Sequence, residues 1–137
     1  MRPLLLDTCA AIWLAEQAPI SEIAQEALAA AARSSAVVYV SPITGWEVGL
    51  LVSKDRLKLS VHPDVWYGNL TSNPRIRIAE LSGRILIASS FLPGNPPSDP
   101  ADRIVAATAR ENGFCLITRD RPLLKYAGAG HVNALAC

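Results

Sequence analysis

The chain is poor in the residues that carry redox or zinc chemistry. It has three cysteines in 137 residues, Cys9, Cys115 and Cys137, and two histidines, His62 and His131. No C-x-x-C spacing occurs, so neither a dithiol pair nor a zinc ribbon is signalled. An odd, scattered cysteine set without an export signal reads as reduced, and the expected location is the cytoplasm. Gln17, Glu22 and Glu26 interrupt the N-terminal apolar region, so no run reaches the length of a membrane span, and no membrane partner is expected. Net charge is +1, which excludes a global cationic field. Any nucleic acid must be held by local Lys and Arg clusters. A glycine-rich phosphate loop, internal repeats and a low-complexity tail are absent as well.

Half of the residues are hydrophobic and 18% are charged, the balance of a chain that folds around a core. The simplest organisation is a single domain over residues 1–137. Residues 4–6, Leu-Leu-Leu, read as a buried strand feeding a helix from Cys9 to about Gln17, broken by Pro19. Ser21 caps a second helix with apolar residues at helical spacing. Residues 37–40 are β-branched and aromatic, a second strand. Ser41-Pro42 opens a third helix running to about Ser53, and residues 62–69 form a short one. Residues 75–79 alternate as a strand with one wet face near a sheet edge, and 82–90 form a short helix. A Pro/Gly-rich loop, 91–97, precedes a helix over 100–112 that Gly113 ends. Residues 114–118 form a strand, 121–126 a last helical turn or two ended by Gly128, and 132–135 a final edge strand. Strands alternating with helices imply a three-layer α/β/α fold with a mostly parallel central sheet of four to five strands. In such folds ligands bind beyond the carboxyl ends of the strands.

Acids occupy costly places in this scheme. Asp7 closes the first strand, and Asp120 follows Leu116-Ile117-Thr118-Arg119. Glu47 shares a helical stripe with Ile43, Leu50 and Leu51. Asp102 heads the stripe Val105, Ala106, Ala109, and the small run 106–109 lets that helix approach the sheet closely. Each acid also has a structural reading. Asp7, Asp99 and Asp120 are good helix caps, and Asp99-Pro100 is an ordinary helix start. Together, four carboxylates in or near the interior repel one another unless a cation neutralises them. A hard divalent ion, Mg²⁺ or Mn²⁺, takes oxygen ligands and keeps waters. Carboxylate-held metal with open positions is the usual apparatus of phosphodiester hydrolysis.

Four segments, in this order and spacing, carry a family likeness: Leu4-Leu5-Leu6-Asp7-Thr8; residues 40–48, which include Thr44-Gly45-Trp46-Glu47; Asp99-Pro100-Ala101-Asp102-Arg103 with the stripe behind it; and Leu116 to Asp120. The chain resembles the PIN-domain ribonucleases, in particular the toxin half of bacterial VapBC-type toxin–antitoxin pairs, over essentially its whole length. The resemblance implies a PIN-like fold, an RNA substrate, Mg²⁺ or Mn²⁺ dependence, and 5′-phosphate and 3′-hydroxyl products. It also implies a homodimer and an antitoxin whose tail occupies the active-site groove. It places the family's acids on Asp7, Glu47, Asp102 and Asp120, with Asp99 an extra acid. Asp7, Glu47 and Asp102 would hold the principal metal directly or through water, and Asp120 would complete the site. Thr8 and Thr118 would orient carboxylates by hydrogen bonds. Arg103 is either a phosphate contact or a solvated helix arginine. Where relatives often carry a basic residue before the Asp-Pro pair, this chain has Asn95-Pro96-Pro97-Ser98.

Other residues have plainer readings. Lys54, Arg56 and Lys58 form the densest basic cluster, first a solvated turn and second a contact for RNA or antitoxin. Trp13 reads as core or dimer interface, Trp46 as packing beneath the site, and Trp66 with Tyr67 as core. A metal-dependent phosphatase is the rival enzyme, but its Asp-x-Asp-x-Thr pattern fails because Cys9 stands two residues after Asp7. A non-catalytic module that binds RNA or protein is the other rival.

Overall fold

A computed structural model describes residues 2–16 and 20–137. Its elements are β1 (Leu4–Leu6), α1 (Thr8–Ala15), α2 (Glu22–Arg33), β2 (Val38–Val40), α3 (Pro42–Ser53), α4 (Pro63–Ser72), β3 (Ile76–Ile78), α5 (Gly83–Ala88), α6 (Pro100–Asn112), β4 (Cys115–Thr118), α7 (Arg121–Gly128) and β5 (Asn133–Ala136). The five strands form one sheet in the order β3-β2-β1-β4-β5, every neighbouring pair parallel. The expected α/β/α architecture is present, and its sheet is wholly parallel.

The central strand explains the layering. Leu4, Leu5 and Leu6 are at most 3% exposed, as a strand covered on both faces must be. Side chains alternate, so Leu4 and Leu6 enter one core while Leu5 enters the other. The first core includes Ala10, Ala24 and Trp66, from α1, α2 and α4. The second includes Val105, Ala106, Leu123 and Tyr126, from α6 and α7. The two edge strands are short and partly polar: Arg77 on β3 and Asn133 on β5 are exposed, which discourages pairing with other chains.

Strand order sets the place for a site. From β1 the chain builds outward through β2 to β3, then crosses back to β4 on the other side of β1. The segments leaving β1 and β4 therefore diverge, and the carboxyl edge between them is where sheets of this order bind ligands. Asp7 follows β1 and Asp120 lies two residues beyond β4. Among the described residues, no helix is long and apolar enough to cross a membrane.

Several local expectations shift. The first helix ends at Ala15 with Glu16 as its cap, short of the expected Gln17; Gln17 and the break at Pro19 lie outside the described residues. The fourth helix runs to Ser72, past the expected 69, with His62 as its cap: the imidazole Nδ1 accepts the Asp64 N–H at 3.2 Å. The last helix runs past the expected 126 to Gly128, where it ends as expected, and the chain reverses at Gly130, where φ is +87°. Gly113, at φ +68°, does end α6, the left-handed position that glycine takes without steric cost.

The helix α6 lies tight on the sheet because its inner face is small: Ala106, Ala107 and Ala109 are at most 1% exposed. Ala106→Leu has no room at this contact. We expect a loss of about 1–3 kcal/mol in chemical denaturation. An unchanged denaturation midpoint would show that α6 has slack to move.

Candidate active site

The site begins with the last hydrogen bond of the sheet. The Asp7 N–H donates to the Ile117 carbonyl at 3.0 Å, which brings Asp7 alongside Thr118. The Asp7 carboxylate is 5% exposed. Its Oδ1 accepts the Ala10 N–H at 2.7 Å, capping α1, and its Oδ2 accepts a short hydrogen bond from the Thr118 hydroxyl. The same hydroxyl oxygen accepts the Asp120 N–H at 3.0 Å. Asp120 then caps α7, its Oδ2 accepting from the Leu123 N–H at 3.0 Å. One buried threonine thus couples the two acids at the strand ends.

A second threonine pair holds the helical acid. Thr8 donates to Glu47 Oε1 at 2.5 Å, so its oxygen is left to accept the proton of Thr44, 3.2 Å away. Thr44 is fully buried and has this one side-chain partner. Sequence reasoning did not single it out. The signal was available, since Thr44 stands three residues before Glu47 and shares its helical face.

Asp99 caps α6 by accepting the Asp102 N–H at 3.1 Å. Asp102 therefore sits in the first turn of that helix, half-buried, and its carboxyl has no hydrogen-bond partner among the described residues. Three helix N-termini (α1, α6 and α7) meet the acids here, and their positive ends offset part of the burial cost. In each cap one carboxylate oxygen serves the helix, and in Asp7 the other is taken by the Thr118 hydroxyl.

The offset is incomplete. Burial pushes the Asp102 carboxyl up to about 7, with Asp120, Asp99, Glu47 and Asp7 all adding to the rise. Asp7 is raised by burial, against the opposing pull of Thr118 and Ala10. Glu47 is raised by burial too, Thr8 opposing and Asp99, Asp7 and Asp120 reinforcing. The same field reaches the nearby thiol of Cys9, which burial, Asp7, Glu47 and Asp120 push up to about 11. Every charged group that shifts Asp102 is another acid. Such a set is completed by a cation. Among the described residues no three of His, Cys, Asp and Glu stand close enough to grip one ion. The donors suit a small, hard ion that keeps most of its waters and takes one or two carboxylates directly.

The other candidates fall elsewhere. The Arg103 guanidinium points away from the acids. Its Nε donates to the Ser89 carbonyl at 2.9 Å and its Nη1 to the Pro97 carbonyl at 3.2 Å, pinning the 91–97 loop. Trp46 does not pack beneath the site. It is 57% exposed, facing a hollow shared with Glu47, Lys54, Arg56 and Asp99. Trp66 is core. Trp13 is half-buried, with the Arg119 guanidinium stacked 3.1 Å over its ring centroid.

Comparison with known proteins bears on the family and the fold. The family model for the PIN domain matches residues 4–129. Ribonuclease VapC22 of Mycobacterium tuberculosis is 32% identical over 124 residues, covering 90% of this chain and 91% of its own. Two solved structures share the fold. VapBC2 from Rickettsia felis, bound to a DNA fragment from their promoter, has a TM-score of 0.69 at 16% identity, covering 97% of both chains. FitAcB from Neisseria gonorrhoeae has a TM-score of 0.54 at 24% identity, covering 96% of both.

Two outcomes follow from the hydrogen bonds and charges. Thr118→Val leaves a buried carboxylate oxygen and an N–H without their partner, so we expect a loss of about 1–3 kcal/mol in denaturation, largely restored in Thr118→Ser. The second concerns pH. A carboxyl whose folded pKa is raised binds its proton more tightly folded than unfolded. Its contribution to stability is therefore full at low pH and declines as pH climbs from the unfolded value of 3.8 through about 7. The metal-free protein should melt lower near pH 8 than near pH 5. Asp102→Asn should melt a few degrees above the parent near pH 8 and close to it near pH 4. Equal melting temperatures near pH 8 would contradict the strained-carboxyl account.

Proposed function

The chain belongs to the PIN-domain family, and from that premise we propose that it is a metal-dependent endoribonuclease acting as the toxin of a toxin–antitoxin pair. The observation that carries this reading is the all-acid environment of Asp102, a half-buried carboxyl without a hydrogen-bond partner among the described residues, raised by burial and by Asp120, Asp99, Glu47 and Asp7. Relatives point the same way: one is named as a ribonuclease, and another was solved as VapBC2 on promoter DNA.

Asp7, Glu47 and Asp102 hold Mg²⁺ or Mn²⁺, directly or through water, and Asp120 completes the site. When bound, the ion supplies Lewis acidity at the phosphodiester and makes a water more acidic. The protein supplies position. Thr118 sets the rotamer of Asp7 and the start of the Asp120 turn. The Thr44–Thr8 relay aims Glu47. Asp102 would hold the ion in its ionised form, so ion affinity would depend on pH. The scissile phosphate would lie at the carboxyl edge beside these acids, and the cut would leave 5′-phosphate and 3′-hydroxyl ends. A homodimer, an antitoxin tail covering the groove, and a cytoplasmic location complete the proposal.

The test is cleavage of single-stranded and structured RNAs by the antitoxin-free protein. We expect cutting in Mg²⁺ or Mn²⁺ and none in EDTA. Asp7→Asn and Asp102→Asn should lose more than about a hundredfold, and Thr118→Val and Thr8→Val about ten- to a hundredfold, in line with supports of metal ligands elsewhere. Cutting that persists in EDTA, or in Asp7→Asn, overturns the mechanism. Activity on a small phosphate ester without any RNA cleavage would make the protein a phosphatase.

A further inference from the structure

A cleft of about 630 Å³ lies beside the carboxylates rather than over them. One wall is α7, with Arg121 and Lys125, and the other is the 94–98 loop. Its rim meets the site at two points: Ser98 immediately precedes Asp99, and Arg121 immediately follows Asp120. No acid lines it. We propose that this cleft seats the sugar–phosphate backbone of the RNA beside the cleavage site, with Arg121 and Lys125 as its phosphate contacts. The proposal rests on the ribonuclease reading and adds the strand's path.

Charge is the first argument. The cations at the cleft are uncommitted. The ion pairs among the described residues are Arg33–Glu26 and Arg84–Glu111, and neither involves α7. Arg121 and Lys125 are exposed, with no side-chain partner among the described residues. With a net charge of +1, the chain can draw in a polyanion only through such local clusters. The hollow on the other flank of the acids also has two basic residues, Lys54 and Arg56. However, it is only about 190 Å³, and Glu47 and Asp99 line it directly. A phosphate chain there meets two carboxylates at once, so the α7 side is favoured.

Rigidity is the second argument. The Tyr126 hydroxyl donates to the Pro93 carbonyl at 2.6 Å. The His131 ring stacks on Tyr126 with centroids 4.9 Å apart. Gly94 has φ +67°, and a Cβ there would collide with the His131 imidazole, so the loop backbone lies directly against that ring. Arg103 ties down the far end of the loop through the Pro97 carbonyl. Both walls are formed before anything binds, so little ordering cost remains. This also accounts for Asn95-Pro96-Pro97-Ser98, which carries no cation of its own: the positive charge comes from α7 across the cleft. Beyond His131 the surface continues into a hollow of about 210 Å³ with Arg2 and Arg110, which gives a longer strand a basic route toward the amino ends of the strands.

Contacts of this kind position RNA without reading its sequence. The experiment measures cleavage kinetics and salt dependence of a labelled single-stranded RNA oligonucleotide in Mg²⁺, for wild type, Arg121→Ala/Lys125→Ala, and Arg75→Ala/Arg77→Ala at the opposite sheet edge. For the α7 pair we expect KM to rise roughly tenfold or more near 0.1 M salt with kcat little changed. The slope of log KM against log salt should become shallower by about 0.7 for each contact removed. The β3 pair should match wild type. Matching melting temperatures would show that the α7 variant is folded. If wild type cleaves RNA and the α7 variant has the same KM and salt slope, the path is overturned while the ribonuclease reading stands. Equal weakening by the β3 pair overturns it as well, since general charge would then be responsible. So does loss of antitoxin binding with RNA kinetics unchanged, which would make the cleft a protein contact. A wild type that cleaves no RNA removes the ribonuclease reading and this proposal with it.

Discussion

Asp7 is a carboxylate at 5% exposure held by two side-chain hydrogen bonds, one from the Ala10 N–H and one from the Thr118 hydroxyl. Much of the carboxyl edge of the sheet depends on that arrangement. The Ala10 bond starts α1. The Thr118 bond ties β1 to β4 across the switch point, and through the Asp120 N–H it sets the turn into α7. Because Thr118 is fully buried, water cannot replace its hydroxyl. Burial normally forces such a carboxylate to neutralise. Here the donors resist that tendency without abolishing it, since Asp7 remains raised. The fold therefore leaves this carboxyl raised, a cost that a nearby cation would offset.

The helix caps show how this strain is tolerated. Asp7, Asp99 and Asp120 are all caps, and capping alone would justify each of them. Capping uses one oxygen, however: the second accepts from Thr118 in Asp7 and has no partner among the described residues in Asp99 and Asp120. Structural and functional readings of these acids therefore do not compete. Glu47 and Asp102 differ. Glu47 lies in the interior of α3 and Asp102 is a first-turn residue whose own N–H is capped by Asp99. Neither is needed to start a helix, and both have raised carboxyl pKa values. A site of this kind sacrifices stability for function.

Much of the fold was legible because its signals are local. Leu4–Leu6 and Leu116–Ile117 are continuous apolar runs, as doubly covered strands must be, and Ser21, Ser41, Asp99 and Asp120 announce their helices. What escaped was set by contacts distant in sequence. Arg103 could be placed beside Asp102, but its carbonyl partners, Ser89 and Pro97, come from a loop whose course no local rule specifies. Trp46 and Glu47 are neighbours about a hundred degrees apart around α3, and the apolar stripe did not say which of them faced inward. The structure buries part of Glu47 and leaves Trp46 exposed. Gly128 does end α7, but the left-handed turn two residues later, at Gly130, had no local signal that separated it from Gly128.

The same distance effect hides the basic cleft. Arg121 and Lys125 read as ordinary solvated positions on a helix whose other face carries Leu123 and Tyr126. They become a wall only when Tyr126 and His131 draw the 91–97 loop across from them. The junction of acid and base then has a physical sense. A phosphodiester is repelled by bare carboxylates and attracted by the cations next to them, and Asp120 and Arg121 place the two fields one residue apart. On the ribonuclease reading, the divalent ion neutralises the acid side and α7 supplies the attraction beside it. Chemistry and binding would then answer to different ions. On that reading the rate constant of cleavage would follow the divalent cation, and the hold on the strand would follow monovalent salt. A net charge near zero is compatible with a polyanionic substrate when the charges are sorted this way.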